Sequence, residues 1–387
     1  MQKSLPKVSA SASSKIDFAR LRAWMFDDAL PLWADRGIDR AHGGFLEELT
    51  PDAQPTTCSF KRVRVICRQI YVFAHAAKLG WQQGADIAEM GFVYLRDHAR
   101  LADGGWARRL SREGAIIDPT PDLYDISFVL FALSWRYRLS ADQQVLTLMY
   151  ETLDYIQHKM KGPHGGFWHA LPPQGARVQN PHMHLVEASH VAFEATSDKR
   201  FLEQADEVIG LLRTKFFDGV TLGEFFTEDW AREQSEAGRT LEPGHQFEWA
   251  WILSTHQRLK GVDFGREMAA LTDFAERFGV DPATQVSFDA VSPEGDIITA
   301  NSRTWPNTER IKAWVALADR TDLQPIERIN GSLDLLFTRY FGASRPGLWI
   351  DQFDGKGAPM VSAVPASILY HIFLAFSEVL HLEPTAQ

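Results

Sequence analysis

Two segments of the chain place a histidine three residues before a glutamate. They are His184 with Glu187 and His245 with Glu248. On a helix, residues three apart share a face. A histidine titrates near neutral pH and a carboxylate can orient it, so each pair is suited to proton transfer. Taken alone, such a pair is better explained as the polar first turn of an ordinary core helix, because single short motifs are weak evidence.

The two pairs are related by a fixed spacing. His184 and His245 are 61 residues apart, and Glu187, Glu248 and Glu309 follow one another at the same interval. The register predicts a further site residue near position 367, and His371 lies one turn deeper on that face. Shared register turns weak motifs into one predicted site. That site is a ring of eight residues: Arg68, Tyr124, His184, Glu187, His245, Glu248, Glu309 and His371.

Several chemistries are open to such a ring. Glycoside hydrolysis needs two opposed carboxyl groups, which the three glutamates could supply, but the histidines would then be idle. A metal site from His182, His184, His245 and His371 is a weaker alternative, because residues two apart on a helix do not face each other. Proton abstraction next to a sugar carbonyl needs a base near neutrality, an acid and polar groups that stabilise an enediolate. Three histidines and Arg68 fit that task best.

Purely structural roles remain open for individual members of the ring. Arg68 could pair with a buried glutamate, and Tyr124 could be a core residue whose hydroxyl contacts a backbone carbonyl. The three glutamates could be caps that hold loops.

The elements that would position these residues repeat along the chain. Turns of small residues are followed by an aromatic at positions 45, 106, 167, 225, 288 and 349, at spacings of 61, 61, 58, 63 and 61 residues. A fixed period of this kind marks a repeat architecture. Each unit is a turn, a loop and two helical segments.

The two helical segments of a unit differ in polarity. The first helices begin near Lys61, Asp122, Pro181, Pro243, Thr304 and Pro365 and are apolar on most faces, which predicts burial. The second helices, such as 86–99, 141–161, 199–216 and 265–278, are amphipathic. We therefore predict an all-α fold, an (α/α)6 barrel of six inner and six outer helices. The pocket should lie where the inner helices begin, among the long loops.

Composition narrows the classes of partner and compartment. The 387 residues carry a net charge of −10 and two cysteines in one segment. Nucleic acid, an anionic membrane, a disulfide framework and a zinc site are therefore not expected. The chain has no apolar run long enough to span a membrane and no secretory signal, so we expect a cytoplasmic protein. Residues 1–14 should be disordered, and 15–387 should form a single catalytic domain.

Five motifs together resemble the N-acylglucosamine 2-epimerase superfamily. They are NPHMHLVEA (180–188), EPGHQFEWAW (242–251), RTWPNTE (303–309), LYDISFVLFAL (123–133) and SILYH (367–371). The resemblance runs from about Asp17 to Leu382, in family order. It implies an (α/α)6 barrel that isomerises or epimerises sugars at C2 without a metal or cofactor. The family's three histidines match His184, His245 and His371, and its substrate-binding arginine and tyrosine match Arg68 and Tyr124.

Within that family the motifs are most similar to the D-mannose isomerase branch, which implies a role for each residue. His184 would assist ring opening, His371 would be the base at C2, and His245 the acid or base toward O1, O2 or C1. Sugar hydroxyls would be held by Arg68, Tyr124, Asn180, Glu187, Glu248 and Glu309, and Trp305 and Trp349 would stack on the ring.

Other assignments stay open for the same fold. They are a sugar 2-epimerase, a non-catalytic carbohydrate- or protein-binding member, and a glycoside hydrolase. The expected partner is a monosaccharide, with a homodimer possible, and a phosphorylated or sulfonated sugar fits less well because the ring offers one clear arginine.

Overall fold

A computed structural model describes residues 15–342 and 345–384 and contains two concentric sets of helices. Even-numbered helices are inner: α2 Val63–Lys78, α4 Leu123–Ser140, α6 Asn180–Thr196, α8 Pro243–Lys260, α10 Thr304–Ala316 and α12 Leu369–Leu380. Odd-numbered helices are outer: α3 Gln83–Ala99, α5 Gln143–Lys159, α7 Lys199–Leu211, α9 Gly265–Phe278 and α11 Pro325–Leu335. The outer helix α1 comprises Phe18–Arg22, the π-helical Ala23–Ala29 and Leu30–Arg36.

Burial separates the two sets as the polarity pattern predicts. In α4 every residue from Leu123 to Trp135 except Tyr124 is buried, whereas α5 alternates buried and exposed positions. The inner helices begin and end at recognisable signals. The Asp122 side chain accepts hydrogen bonds from two backbone N–H groups at the start of α4, Pro243 opens α8, and Gly261 ends α8 in the left-handed conformation.

The inner helices form a closed ring. Each packs against the next in chain order, and α12 packs against α2. All six therefore contribute side chains to one central axis, and the (α/α)6 architecture predicted from the repeat is confirmed.

Short antiparallel strand pairs join the loops at the mouth of the barrel. Most pair the segment before one inner helix with the loop of the following unit, and the others close hairpins within a unit. The strands are β1 Glu48–Leu49, β2 Phe60–Arg62, β3 Arg109–Ser111, β4 Ile116–Asp118, β5 Arg177–Val178, β6 Phe225–Phe226, β7 Ala290–Val291, β8 Ile297–Thr299, β9 Ser302–Arg303, β10 Gln352–Phe353 and β11 Val364–Pro365. The pairs are β1–β11, β2–β3–β4, β5–β6, β7–β8 and β9–β10.

The ring closes with elements from opposite ends of the chain. The last inner helix, α12, has no outer helix after it within the described residues, and α1 takes that place. Trp24 of α1 stacks on Phe341 at 4.7 Å and meets Phe376 of α12 edge-on at 5.4 Å. Strand β1 pairs with β11, so that Glu48 lies opposite Pro365. The outer helix of the sixth unit is thus the first helix of the chain.

The disordered segment predicted for residues 1–14 lies outside the described residues. Among the helices that are described, none combines the length and apolarity needed to cross a bilayer.

Candidate active site

A cavity of about 250 Å³ opens where the inner helices begin. That volume is below the roughly 300–1,000 Å³ of pockets for drug-sized ligands, and it suits a single sugar ring. Side chains from all six inner helices and the adjoining loops line it: Arg68, Tyr124, Asn180, His184, Glu242, His245, Glu248, Arg303, Trp305, Asp351, Ile368 and His371.

Eight of the eleven side chains expected at the site from sequence line this cavity. Glu187 and Glu309 lie behind it, each in contact with a histidine. Trp349 lies elsewhere: it is 1% exposed and stacks on Trp33 with ring centroids 5.3 Å apart. The stacking of a sugar on Trp349 expected from the resemblance therefore has no support in the geometry, because the indole is packed into the wall near α1.

His184 on α6 is held by the two carboxylates of the repeated register. Its Nδ1 lies 3.1 Å from Glu187 Oε2 and 3.9 Å from Glu248 Oε1. Glu187 also accepts a hydrogen bond of 2.5 Å from the Tyr370 hydroxyl. Burial alone would raise the pKa of Glu187, but His184, Lys312 and Tyr370 outweigh it and lower that pKa. Glu187 is therefore an ionised acceptor that fixes the orientation of His184.

His245, at the start of α8, is paired with a carboxylate that the sequence analysis did not identify. Its Nδ1 lies 3.1 and 3.0 Å from the two oxygens of Glu224, which precedes strand β6. Burial would lower the pKa of His245, but Glu224, Glu242 and Glu248 outweigh burial and raise it to about 9. His245 is therefore protonated at neutral pH and can donate a proton.

His371 on α12 has the opposite electrostatic environment. Its Nδ1 lies 2.8 Å from Glu309 Oε1, and the imidazole is buried. Burial, and then the positive charges of Arg68 and Lys312, hold the pKa of His371 well below its ordinary value. His371 is therefore neutral at neutral pH and can accept a proton. Two histidines at one cavity thus differ in charge because their neighbours differ.

Trp305 lies between these two histidines. Its ring centroid is 5.1 Å from that of His245 and 5.7 Å from that of His371. Gly244 makes this packing possible, because a Cβ there would lie 2.5 Å from Trp305 Cζ3. The glycine of the PGH motif therefore serves the placement of the indole beside both imidazoles.

Arg68 on α2 serves the cavity rather than an internal ion pair. Its guanidinium donates 2.8 Å to the Tyr124 hydroxyl and 3.2 Å to the Ser367 carbonyl, and it lies over the rings of Phe128 and Tyr370. Within the described part of the chain it has no carboxylate partner. Its charge is therefore available to a ligand, as the binding role requires.

Four further lining residues were not identified from sequence: the apolar Ile368 and the ionisable Glu242, Arg303 and Asp351. Arg303 pairs with Glu242 at 3.0 Å and with Asp289 at 2.9 Å. Burial raises the pKa of Asp351 to about 6, and its Oδ1 has no hydrogen-bond partner among the described residues. Arg303 and Glu242 stand in the quoted motifs, directly before the helices that carry Trp305 and His245. Both lie just before the helices whose first turns the register marks, and Asp351 lies in a loop that no register marks.

Glu224 left a clearer signal in the sequence. Three units have two glycines before the aromatic of the turn, at 43–44, 104–105 and 165–166. The fourth unit has Gly223 followed by Glu224. The fifth and sixth units have Ser287 and Leu348 at the same position, so Glu224 is the one carboxylate among the six equivalent positions, and that charge is the signal.

Two groups of buried side chains hold ligand-type atoms close together and so concern the alternative of a metal site. His184, Glu187 and Glu248 form one close group of ligand-type atoms, and Glu248, Glu309 and His371 form another. In both groups the imidazole Nδ1 already contacts a carboxylate, so we treat them as hydrogen-bonded groups rather than metal ligands. His182 lies away from the cavity, with its nitrogens at the Phe167 N–H and the Val178 carbonyl.

Comparison with known proteins gives one consistent picture. The sequence model of N-acylglucosamine 2-epimerase (GlcNAc 2-epimerase) matches residues 43–375. Mannose-6-phosphate isomerase of Rhizobium meliloti (strain 1021) is 32% identical over 371 residues, covering 93% of this chain and 95% of that protein. Cellobiose 2-epimerase of Bacteroides fragilis is 25% identical over 252 residues, covering 60% and 63%. A crystal structure of D-mannose isomerase superposes with a TM-score of 0.87 over 97% of this chain and all of that one, at 21% identity.

The match to the family model spans most of the chain, and the relatives are sugar isomerases and epimerases by name. This protein therefore belongs to the N-acylglucosamine 2-epimerase family and is a sugar isomerase or epimerase.

Proposed function

We propose that the protein interconverts D-mannose and D-fructose by proton transfer through an enediolate. The observation that carries the proposal is the contrast between His371 and His245. His371 is neutral and His245 is protonated, and both line one cavity of monosaccharide size. An aldose–ketose isomerisation needs a base and an acid together in this way.

The steps follow from that contrast. His184 assists opening of the sugar ring. His371 then removes the proton from C2 while His245 donates a proton to O1, which gives the enediol. His245, now neutral, then accepts the O2 proton and His371 returns a proton to C1, which completes the ketose and restores both histidines to their starting states. Arg68 and Tyr124 stabilise the developing negative charge on oxygen.

Two buried acceptor atoms of the cavity suit the hydroxyl groups of a sugar. Glu248 Oε1 and Asn180 Oδ1 are buried and make no hydrogen bond within the described residues. Buried polar atoms left unpaired are costly, so a bound hydroxyl at these positions would be favourable. Trp305 offers an indole at the same cavity, which suits the apolar face of a sugar ring.

The alternative substrate is mannose 6-phosphate, because the 32% identical relative bears that name. The charges of the cavity favour the unphosphorylated sugar. Arg303 is already shared by Glu242 and Asp289, and Glu248 and Asp351 add further acidic groups. A phosphate dianion would face these carboxylates with only Arg68 uncommitted among the described lining residues.

Hydrolysis is less consistent with the arrangement of carboxyl groups. Glu248 and Glu309 have oxygens within 4.8 Å of each other, and Glu187 and Glu309 contact histidines from behind the cavity. A glycosidase needs two carboxyl groups flanking the substrate, about 5–9.5 Å apart. Cytoplasmic location and a homodimer remain predictions.

The deciding experiment is product analysis by NMR after incubation with mannose, mannose 6-phosphate, glucose and N-acetylmannosamine in D₂O. The proposed isomerase converts mannose to fructose labelled with deuterium at C1. Glucose that appears before fructose, labelled at C2, would instead identify a 2-epimerase, which returns the proton to the other face of C2. Sugar binding without turnover would favour the non-catalytic alternative.

A further inference from the structure

A buried lysine contacts Glu309 behind the cavity and takes no part in the proposed proton transfers. Lys312 on α10 is fully buried, and its Nζ lies 2.6 Å from Glu309 Oε2. The same ammonium group lies 3.9 Å above the ring of Trp251. Buried lysines are rare, and the burial of a charge is costly unless a partner compensates it. The position of Lys312 therefore calls for an explanation.

Carboxylates surround this lysine from three helices. Glu309 lies on its own helix α10, Glu248 on α8 and Glu187 on α6, and all three support its positive charge. From α12 it faces His371, and Arg68 of α2, His184 of α6 and His245 of α8 also act on that imidazole. Among the described residues, one ammonium group therefore compensates several acidic side chains at the base of the site.

Glu309 is the member of this group on which the catalytic base depends. One of its oxygens, Oε1, contacts His371 Nδ1, and the other contacts Lys312. Burial and the charge of Glu248 raise the pKa of Glu309 well above its ordinary value, and Lys312 opposes that rise. With its Nζ 2.6 Å from Glu309 Oε2, the ammonium group of Lys312 is the contact that favours the ionised form of Glu309.

The charge of Glu309 decides in turn which nitrogen of His371 carries the proton. An ionised Glu309 can only accept, so Nδ1 carries the hydrogen and Nε2 keeps its lone pair. A protonated Glu309 would donate to Nδ1, and the hydrogen would then reside on Nε2, which could no longer act as a base. We propose that Lys312 is a positioning residue that keeps Glu309 a hydrogen-bond acceptor. Nε2 of His371 is then free to take the substrate proton. This inference rests on the proposed function.

The test replaces the ammonium group and reads the tautomer directly. In Lys312→Met, ¹⁵N NMR of histidine-labelled protein should show the His371 proton moving from Nδ1 to Nε2, with the signal assigned by its loss in His371→Gln. The kcat for mannose should fall roughly 10²-fold at neutral pH, the scale of general base catalysis. The acid limb of the kcat/KM profile should move up by about one pH unit or more, because Glu309 must now lose its proton at higher pH. The KM should change little.

Two further variants separate charge from packing. Lys312→Arg keeps the positive charge and should retain the wild-type tautomer and acid limb. Lys312→Gln keeps a hydrogen-bond donor without the charge and should behave like Lys312→Met, and it serves if the methionine variant does not fold. The matched control is Lys61→Met, since Lys61 is equally buried and pairs with Asp39 at 3.2 Å away from the cavity. It should lower stability but leave the tautomer and the pH profile unchanged.

The outcomes distinguish this inference from the proposed function. An unchanged His371 tautomer and acid limb in both Lys312→Met and Lys312→Gln would overturn the role of Lys312, even if kcat fell. A wild-type protein that converts none of the sugars tested would overturn the proposed function, while the NMR measurement would still decide the tautomer.

Discussion

The ion pair between Glu224 and His245 gives the sharpest prediction. Glu224→Gln removes the charge that contributes most to keeping His245 protonated, and burial then favours the neutral imidazole. Raising the pKa of His245 from 6.5 to about 9 corresponds to roughly 3 kcal/mol, at about 1.36 kcal/mol per pH unit. We expect kcat/KM for mannose at neutral pH to fall by roughly 10²-fold, because the acid is lost. The basic limb of the profile should move to lower pH.

The same change has a signature in stability. A pKa that is higher in the folded protein stabilises it fully below the unfolded value of 6.5, and this contribution is lost as pH rises through about 9. The free energy of unfolding of the wild type, measured with urea at several pH values, should therefore decline across that interval more steeply than that of Glu224→Gln.

A control variant tests whether any buried glutamate would behave in this way. Glu276→Gln disrupts a buried ion pair with Arg310, whose Nε lies 2.5 Å from Glu276 Oε1, away from the cavity. It should cost stability without moving the basic limb. If the basic limb of Glu224→Gln coincides with that of the wild type, His245 does not act as a protonated acid and the assignment of roles fails.

Three further outcomes are expected. His371→Ala and His245→Ala should each lower kcat by roughly 10²-fold or more while the protein remains folded by circular dichroism, since both side chains line the cavity. Gly244→Ala should displace the Trp305 indole, which a Cβ would approach to 2.5 Å, and should raise KM and cost about 1–3 kcal/mol in urea denaturation. Activity should survive exhaustive EDTA treatment, and a loss reversed by a divalent ion would identify a metal-dependent enzyme instead.

The architecture could be predicted because it depends on patterns that the sequence displays. Burial all round a helix and a period near 61 residues together require a ring of inner helices with aligned starts. The same register placed His184 and His245 at one level of the cavity. The partnership of α1 with α12 could not be predicted, because helices of one unit are adjacent in sequence while these two are at opposite ends.

At the site, the sequence could not predict which side chains are already paired or which loop residues join them. Glu187 and Glu248 share one register, yet Glu187 is hydrogen-bonded to His184 and Tyr370, while Glu248 Oε1 makes no hydrogen bond among the described residues. Such differences arise from neighbours on other helices. Glu224 and Asp351 lie in loops, and no helical period determines the course of a loop. Trp349 fits the aromatic period of the repeat, yet its indole packs in the wall of the barrel and not in the cavity.

The contacts of helix α1 with residues late in the chain have a consequence for biosynthesis. Trp33 donates a hydrogen bond to the carbonyl of Gly347, and Arg20 reaches Asp334, each across 314 residues of sequence. Helix α1 leaves the ribosome before the other described helices, but its apolar face is covered only after α11, the following loop and α12 have been made. Non-local contacts of this kind slow folding and leave apolar surface exposed to aggregation in the meantime. A circular permutant that joins the two ends and opens the chain between two later units would make those partners neighbours in sequence, and it should fold with less delay into the same ring.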